Sequence, residues 1–432
     1  MFKNIVFILK AFWIIMFELF LFGLFRDYSS FIDRLTGKLA NINILYVKMF
    51  QAFALNNSLI DDKINNKLMK FTDNAPWSYD DFDHHALFKV EDEYNLVFKD
   101  GIEPINSGMI SLVFKAYRAK TDEIVIIKMR RMNIEAKLDE ALENLLFFVN
   151  ILSFVLNIQK YNIHELINKN IDLITSQTNF EKEVHNMIKM TNNCKNLRYI
   201  KIPKVYPEIT EKYPNIIMMD YLDGVTINKV EKKDYEPFAK QVMKLGFVTT
   251  LVHGVCHGDL HSGNILFIKD ENDEKYPHKI GVLDFGIVYE IEESFRHNLF
   301  GVSEMFKASA DDSAHKLLYS GLIEPVDIIK QLPKAHHDNL IQIISNVVAE
   351  TLHNSKSVNQ IKIYKFISIF NKYINDNQLL NLGLRISNNF VKTQMSIAMA
   401  HGVTLTLSND DFITLADNVI NELFHTQMLI ED

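Results

Sequence analysis

The sequence predicts an α+β fold with two lobes, a small β-rich lobe followed by a larger helical lobe. Short β-type runs at residues 95–98, 112–117 and 124–129 come first, and a mostly helical remainder follows them, with short strands at 216–219, 265–267 and 280–283. Strands that precede helices, instead of alternating with them, are typical of this class. The chain has 432 residues, 48% of them apolar, which is enough for one large domain with extensions.

This pattern divides the chain into four parts. We expect a hydrophobic helix over 1–26, a helical extension over 27–94, a first lobe over 95–222 and a second lobe over 223–432. Apolar residues at three- and four-residue spacing predict helices in the extension. Within these parts, residues 76–90 are aromatic, acidic and irregular and indicate a linker, and residues at about 134–175 are helical in pattern and indicate an insertion in the first lobe.

The composition excludes several classes of protein. A net charge of −8 argues against a nucleic-acid partner, because such domains are usually basic. The two cysteines, Cys194 and Cys256, do not form a CxxC or CxxH pair. The sequence therefore predicts neither a zinc site nor a disulfide framework, and a reducing compartment is expected for the active site.

The first 25 residues form an apolar run that two charges interrupt. About 20 apolar residues span a bilayer as a helix, but Lys10 and Glu18 would each cost roughly 2.5–3.5 kcal/mol at mid-membrane. Together with Lys3 they fall within an arc of about 80° on a helix. This favours a helix at a membrane interface, or one packed on a partner, over a clean span. Membrane association is the expectation, and a buried helix of a cytoplasmic protein is the alternative.

The strongest motif is HGDLHSGNIL over residues 257–266, followed by VLDFG over 282–286. Phosphoryl transfer needs an acidic residue that orients the attacking hydroxyl, together with an amide and a second carboxylate that hold magnesium. Asp259 and Asn264 are five positions apart (264 − 259), as in the kinase catalytic loop, and Asp284 follows in Asp-Phe-Gly. We predict that Asp259 orients the acceptor, that Asn264 and Asp284 bind Mg²⁺, and that the nucleotide is ATP.

A second motif is VIIKM over residues 125–129, a lysine at the end of a β-branched run. Kinases place such a lysine on the α- and β-phosphates and pair it with a glutamate on a helix. Lys128 is the predicted lysine. Glu183 is favoured as its partner over Glu181, which lies two positions away and therefore cannot share a helix face with Glu183.

Two weaker signals predict where the rest of the nucleotide binds. Ser107 and Gly108 lie in a loop ahead of Lys128, at the place where a glycine-rich phosphate loop is expected. The run MMDYLDG over 218–224 is similar to a hinge between lobes, so the backbone of Asp220 to Leu222 is predicted to contact adenine.

The chain resembles the UbiB family of atypical kinases over roughly residues 30–300. The resemblance rests on the 55-residue gap between Lys128 and Glu183 (183 − 128), on the loop around Ser107, and on KMFQ at 48–51. The family has a K-x-G-Q motif there, which implies a regulatory role for Lys48 and Gln51. The resemblance further implies a protein-kinase-like fold, ATPase or small-molecule and lipid-linked kinase activity, and a membrane setting near quinone metabolism.

The resemblance implies three sequence elements that restrain the active site and disfavour protein phosphorylation. This chain departs from the family pattern in each of them, which weakens that implication. Phe50 replaces the glycine of K-x-G-Q, the alanine-rich loop reads Asn106, Ser107 and Gly108, and the E-x-D motif aligns with Gln177–Asn179.

Two other functions stay open. One is a small-molecule phosphotransferase of the aminoglycoside or choline kinase type, which has a loop similar to HGDLHSGN. The other is a nucleotide-binding pseudokinase that acts as a membrane scaffold.

Gly258 stands where many kinases have the arginine of H-R-D. In those enzymes the arginine meets a phosphate on the activation segment. Without it, a phosphate on the segment after Gly286 has no receiver at this position, so we expect activity without such phosphorylation.

Overall fold

The computed structural model describes residues 2–43, 45, 75–156, 174–300, 308–350, 363–408, 415–416, 418–419 and 422. The chain forms two compact units. Unit 1 comprises Met1–Met187 and Pro203–Tyr221, and unit 2 comprises Ile188–Ile202 and Leu222–Asp432. Unit 1 holds the largest described sheet and unit 2 is mainly helical, which confirms the predicted α+β fold with two lobes.

The described helices are α1 (Phe2–Phe25), α2 (Tyr28–Ile42), α3 (His84–Glu93), α4 (Ile134–Leu156), α5 (Phe180–Cys194), α6 (Pro207–Lys212), α7 (Tyr235–Phe247), α8 (Glu293–Phe300), α9 (Ala310–Leu318), α10 (Val326–Gln331), α11 (Lys334–Val348), α12 (Ile363–Asp376) and α13 (Asn388–Leu407). The described strands are β1 (Leu96–Val97), β2 (Asn106–Ser107), β3 (Ser111–Arg118), β4 (Ile124–Arg130), β5 (Ile200–Lys201), β6 (Ile216–Asp220), β7 (Val255–His257), β8 (Ile265–Lys269), β9 (His278–Val282), β10 (Val288–Glu290), β11 (Ile323–Glu324) and β12 (Arg385–Ile386).

Unit 1 is built on an antiparallel sheet in the order β1-β3-β4-β6, with β2 paired to β3. Val125, Ile127 and Met129 of β4 are buried in its core, where they pack with Leu112 and Phe114 of β3. Because successive side chains on a strand point to opposite faces, this pattern directs Lys128 to the other face of the sheet. The β-branched run of the sequence thus fixes the position of the lysine.

The linker predicted over 76–90 is wrong for its second half, where α3 forms. The Asp83 side chain accepts from the backbone N–H of Ala86 at 3.0 Å and caps this helix. Leu87 and Val90 are buried against the sheet. The aromatic and acidic residues that suggested an irregular segment are therefore a capped helix with one apolar face.

The N-terminal helix α1 packs on α2 through a buried charge. Glu18 is 0% exposed and accepts from Arg34 Nε at 2.8 Å and Lys38 Nζ at 2.6 Å. Burial alone would raise the pKa of Glu18, but the hydrogen bonds from Lys38 and Arg34 outweigh it and lower the pKa below its ordinary value. The charge that interrupts the apolar run is thus satisfied by the next helix.

Unit 2 contains two small sheets that carry the motifs of the sequence. The strands β5, β9 and β8 form one sheet, with β5 parallel to β9 and β8 antiparallel to it. The strands β7 and β10 pair antiparallel. The strands β8 and β9 lie where the sequence predicts short strands at 265–267 and 280–283, and β7 and β8 hold the HGDLHSGNIL segment at both ends.

Helices α7 and α13 pack closely at one glycine. A Cβ added to Gly246 would lie 2.7 Å from the Cβ of Ala400, with no flexible side-chain end to yield. A Cβ added to Gly402, which lies on α13, would meet nothing within 4 Å. Substitutions of the two glycines therefore separate the effect of close helix packing, at Gly246, from the effect of helix propensity, at Gly402.

We expect Gly246→Ala to lower the free energy of unfolding by about 1–3 kcal/mol, because the added methyl overpacks the helix contact. The matched variant Gly402→Ala should raise it by about 0.5–1 kcal/mol, because alanine is the better helix former. Urea denaturation of both variants measures this. Equal shifts would show that α7 and α13 do not approach as described.

Candidate active site

Lys128 and Glu183 form a buried ion pair within unit 1. Lys128 Nζ donates to Glu183 Oε1 at 2.6 Å, and the two side chains are 10% and 3% exposed. Glu183 lies in the first turn of α5. Glu181 is exposed in the same turn, so the structure selects the glutamate that the sequence favours. A charge this deep in the protein is costly unless it is paired, and each residue therefore holds the other in place.

Residues 177–179, which align with the E-x-D motif of the family, cap the helix that carries Glu183. The Asn179 side chain accepts from the backbone N–H of Lys182 at 2.9 Å. Thr178 Oγ1 donates to the carbonyl of Thr175 at 2.8 Å. Asparagine is a strong N-cap residue. Asn179, which aligns with the second carboxylate of the family motif, therefore has a structural function, which is to begin α5 at the position that places Glu183.

Ser107 and Gly108, which were predicted to contact phosphate, form hydrogen bonds to other parts of unit 1. Ser107 Oγ donates to the carbonyl of Ala75 at 2.7 Å and accepts from Arg131 Nη2 at 2.7 Å. The backbone N–H of Gly108 donates to the carbonyl of Ser111 at 2.9 Å. In this conformation the Gly108 amide is therefore already used within the loop.

Arg131 and Asp81 fix this loop, and the sequence did not point to either. Arg131 Nη1 donates to Asp81 Oδ2 at 2.7 Å, and Arg131 Nε donates to the carbonyl of Gly108 at 3.0 Å. Both residues are buried. Asp81 also accepts from Lys137 at 2.8 Å and from the backbone N–H of Ser78 at 2.9 Å. We refer to Asp81, Arg131 and Ser107 as the loop clamp.

The loop clamp has the electrostatics of a buried ion pair. Burial alone would raise the pKa of Asp81, but the hydrogen bonds from Lys137 and Ser78 and the charge of Arg131 outweigh it and lower the pKa. The available sequence signal was an arginine pair, Arg130 and Arg131, directly after the lysine strand. Nothing local identifies the partner, which lies 50 residues upstream.

The predicted hinge residues belong to different units. Asp220 ends β6 in unit 1, where its backbone N–H donates to the carbonyl of Lys204 at 2.9 Å and its carboxylate accepts from Tyr206 Oη at 2.6 Å. Leu222 belongs to unit 2, where it packs against Gly281. The division of the chain thus falls inside the predicted hinge. The regulatory candidates Lys48 and Gln51 lie outside the described residues.

His257 connects the two motifs of unit 2, and sequence reasoning did not assign it a role. Its ring Nε2 donates to the carbonyl of Asp284, and its Nδ1 accepts from the backbone N–H of Asp259 at 3.1 Å. Burial lowers the pKa of His257, although the charge of Asp284 opposes this. A neutral ring with one donor and one acceptor fits both bonds. One side chain therefore sets the backbone at both predicted acidic residues.

Asn264 is oriented by the same loop. Its Nδ2 donates to the backbone carbonyl of Asp259 at 2.8 Å. The backbone carbonyl of Asn264 accepts from the backbone N–H of Leu283 at 3.0 Å. Because the bond to Asp259 uses the amide nitrogen of Asn264, the Oδ1 oxygen is available as a metal ligand. Asp284 Oδ1 accepts from the backbone N–H of Gly286 at 2.9 Å. Amide and carboxylate oxygens are the hard ligands that Mg²⁺ prefers, with phosphate oxygens and water completing its shell.

Gly258 has no space for a side chain. A Cβ there would lie 2.4 Å from Ile287 Cγ2 and 2.5 Å from Tyr289 Cε2. The Gly258 N–H donates to the carbonyl of Ile287 at 2.8 Å. The segment after Asp-Phe-Gly is thus paired to the catalytic loop by backbone bonds, and β10 continues this pairing with β7.

Neither cysteine is suited to act as a nucleophile. Cys194 and Cys256 are free and buried, and burial raises the pKa of Cys194 to about 12 and that of Cys256 to about 11. Thiolate chemistry requires a lowered pKa and access to solvent. Within the described ranges, no group of three His, Cys, Asp or Glu side chains gathers as a metal site, so the oxygen ligands of Asn264 and Asp284 remain the candidate site.

We expect Arg131→Met to lower the free energy of unfolding by about 3–5 kcal/mol, because it removes the buried partner of the Asp81 charge and leaves the pairing to Lys137, whose side chain is 45% exposed. Arg385→Met is the matched control, since the Arg385 side chain is 67% exposed where it pairs with Glu324 and its loss should cost about 1 kcal/mol or less. Thermal and urea unfolding of both variants decide this, and equal losses would contradict it.

We also expect that complete dephosphorylation of the purified chain leaves its nucleotide turnover unchanged. The pairing of β7 with β10 orders the start of the segment without a phosphate, and Gly258 supplies no positive charge to receive one. Turnover before and after phosphatase treatment, with mass spectrometry to verify the treatment, measures this. Loss of activity would refute the expectation.

Known proteins resemble this chain at the level of family. A family model described as the ABC1 atypical kinase-like domain matches residues 73–318. A probable protein kinase UbiB from Shewanella sp. (strain W3-18-1) is 26% identical over 294 residues, which are 66% of this chain and 52% of that protein. A probable protein kinase UbiB from Shewanella woodyi is 26% identical over 308 residues, 68% and 54% of the two chains.

The chain thus spans about half the length of the curated relatives it matches. A solved structure of Rv3197 with erythromycin, from Mycobacterium tuberculosis, is 16% identical and covers 87% of this chain and 90% of the other. Its TM-score of 0.46 supports no further inference. The family model covers more than half of the sequence, and the chain therefore belongs to the UbiB family of ABC1 atypical kinase-like proteins.

Proposed function

We propose that this protein is an ATP- and magnesium-dependent atypical kinase that transfers phosphate to a small or lipid-linked acceptor. The observation that carries the proposal is the hydrogen-bonded set around His257, which fixes Asp259, Asn264 and Asp284 in one loop system. A scaffold has no need for this arrangement of an acidic residue and two oxygen ligands, whereas phosphoryl transfer uses each of them.

Each residue has a separate task in this proposal. Lys128, held by Glu183, neutralises the α- and β-phosphates of ATP. Asp259 accepts a hydrogen bond from the acceptor hydroxyl and orients it toward the γ-phosphate. Asn264 and Asp284 bind Mg²⁺, which when present neutralises charge on the transferring group. The backbone of Asp220 to Leu222 contacts adenine.

The loop clamp holds the loop around Gly108 in a hydrogen-bonded conformation, and this loop differs from a glycine-rich phosphate loop. Its one glycine, Gly108, is held by Arg131 and Ser111, so phosphate contacts from this loop need either a local rearrangement or the neighbouring amides. Slow turnover is consistent with such a loop. The pseudokinase alternative draws its support from this feature, and the turnover experiment separates the two functions.

We also propose attachment to a membrane through α1, with the kinase units in a reducing compartment. The residues Ile5–Phe25 are long and apolar enough to cross a membrane, and only 17% of their most apolar window is buried. The free cysteines are consistent with a reducing environment. Together with the family, this supports a lipid or quinone setting for the acceptor.

We expect Asp259→Asn to retain nucleotide binding and to lower turnover by about two to four orders of magnitude, because a positioned acidic group typically contributes that much. Asp284→Asn should instead abolish magnesium-dependent binding, because it removes the charge that offsets the metal. Asp327→Asn, whose carboxylate is 87% exposed, is the control. Thermal shifts with ATP, with and without Mg²⁺, and ATP turnover measure these effects.

The outcomes distinguish the candidate functions. Magnesium-dependent binding without turnover in the wild type would favour the scaffold. Turnover that soluble amines or sugars stimulate, with no response to lipid, would favour the small-molecule phosphotransferase. Wild-type turnover in Asp259→Asn would remove Asp259 from the site.

A further inference from the structure

One side of α1 is exposed and carries only apolar side chains. Six of them define what we call the outer face: Leu9, Phe12, Trp13, Met16, Phe20 and Leu24. At about 100° per residue they lie within an arc of about 120°. The charged residues of the helix, Lys3, Lys10 and Glu18, fall outside this arc. An unbroken apolar face of this kind, on an otherwise charged chain, marks an interaction surface.

The opposite side of α1 is attached to the rest of unit 1. Glu18 accepts from Arg34 and Lys38 of α2, and Lys3 lies 3.7 Å from Glu140 of α4. The ring of Phe22 is 5.1 Å from the ring of Phe31, centroid to centroid. Because earlier residues of α1 meet later residues of α2, the two helices form an antiparallel hairpin.

This hairpin determines what would enter a bilayer if α1 crossed it. The apolar stretch Ile5–Phe25 has its centre at residue 15, so Glu18 lies roughly 4.5 Å from the midplane of a spanning helix. Arg34 and Lys38 would be drawn to the same depth, because they bind Glu18. Charges near the midplane are costly and rare. Crossing therefore requires α1 to leave α2 or α2 to enter the hydrocarbon.

An orientation parallel to the membrane avoids both costs. The outer face then enters the lipid while Glu18, Arg34 and Lys38 stay on the protein side of the helix. Lys10 is exposed and lies beside the edge of the outer face, at the level where a lysine amine reaches lipid phosphates. A wide apolar face with flanking lysines is typical of helices that lie in the interface.

We propose that α1 lies in the plane of one lipid leaflet, with its outer face inserted and its opposite face packed on α2 and α4, so that this helix does not cross the membrane. The inference deepens the membrane attachment proposed above and depends on it. It does not depend on phosphoryl transfer.

The depth of Trp13 tests the orientation. The chain has two tryptophans, so Trp77→Phe leaves Trp13 as the reporter in the full-length protein. Vesicles of phosphatidylcholine and phosphatidylglycerol are prepared with bromines either near the headgroup or near the ends of the acyl chains. We expect the greatest loss of fluorescence with bromines near the headgroup.

Two results would overturn the proposal. Trp13 lies two residues from the centre of the apolar stretch (15 − 13), so greatest quenching by bromines at the chain ends would show a crossing helix. No quenching by either lipid would show that the outer face meets no lipid, as it would if a second copy of the chain covered it. The variant Trp13→Phe, which keeps Trp77, supplies the background signal.

A matched pair of substitutions tests the surface itself. Leu9→Glu on the outer face should weaken cosedimentation with these vesicles about tenfold or more, because it removes a buried leucine and adds a charge. Leu380→Glu makes the same change at a leucine of unit 2 that is 53% exposed, compared with 62% for Leu9, and should leave binding unchanged. Equal effects would overturn the proposal. ATP turnover of the same proteins in detergent tests the kinase proposal separately.

Discussion

The arrangement of the candidate catalytic loop depends on the two hydrogen bonds of one buried imidazole. His257 meets the backbone of Asp259 and of Asp284, which are 25 positions apart (284 − 259). Burial keeps the ring neutral by lowering its pKa, and a neutral ring supplies one donor and one acceptor. A charged ring would present two donors and break the bond from the Asp259 amide. The geometry of both acidic residues therefore depends on a desolvated, uncharged side chain.

Residues whose role follows from neighbours in the sequence could be predicted. Lys128 is placed by alternation along β4, since Val125, Ile127 and Met129 are apolar and buried. Two-residue spacing separates helix faces, so Glu183 and Glu181 were alternatives, and the structure buries the favoured Glu183 alone of the two. The α+β class followed from the order of strands and helices. For Lys128 and Glu183 the signal lies within a few residues of the feature that it predicts.

Features that depend on distant partners could not be predicted. Arg131 selects Asp81 from far upstream because both are buried at the same place, and no pattern around either residue shows this. The helix α3 was missed for a different reason, since the aromatic and acidic residues outweighed the local signal of the Asp83 cap and the apolar face. The partners of Glu18 could not be predicted either. Glu18 interrupts an apolar run in sequence but is neutralised by Arg34 and Lys38 in the fold.

The tight packing at Gly258 has a regulatory consequence. Any larger residue there must displace both Ile287 and Tyr289, which belong to the segment that a regulatory phosphate would have to reorganise. Replacing Gly258 with arginine alone would therefore not create a receiver for a regulatory phosphate, because the new side chain would disorder the loop that carries it.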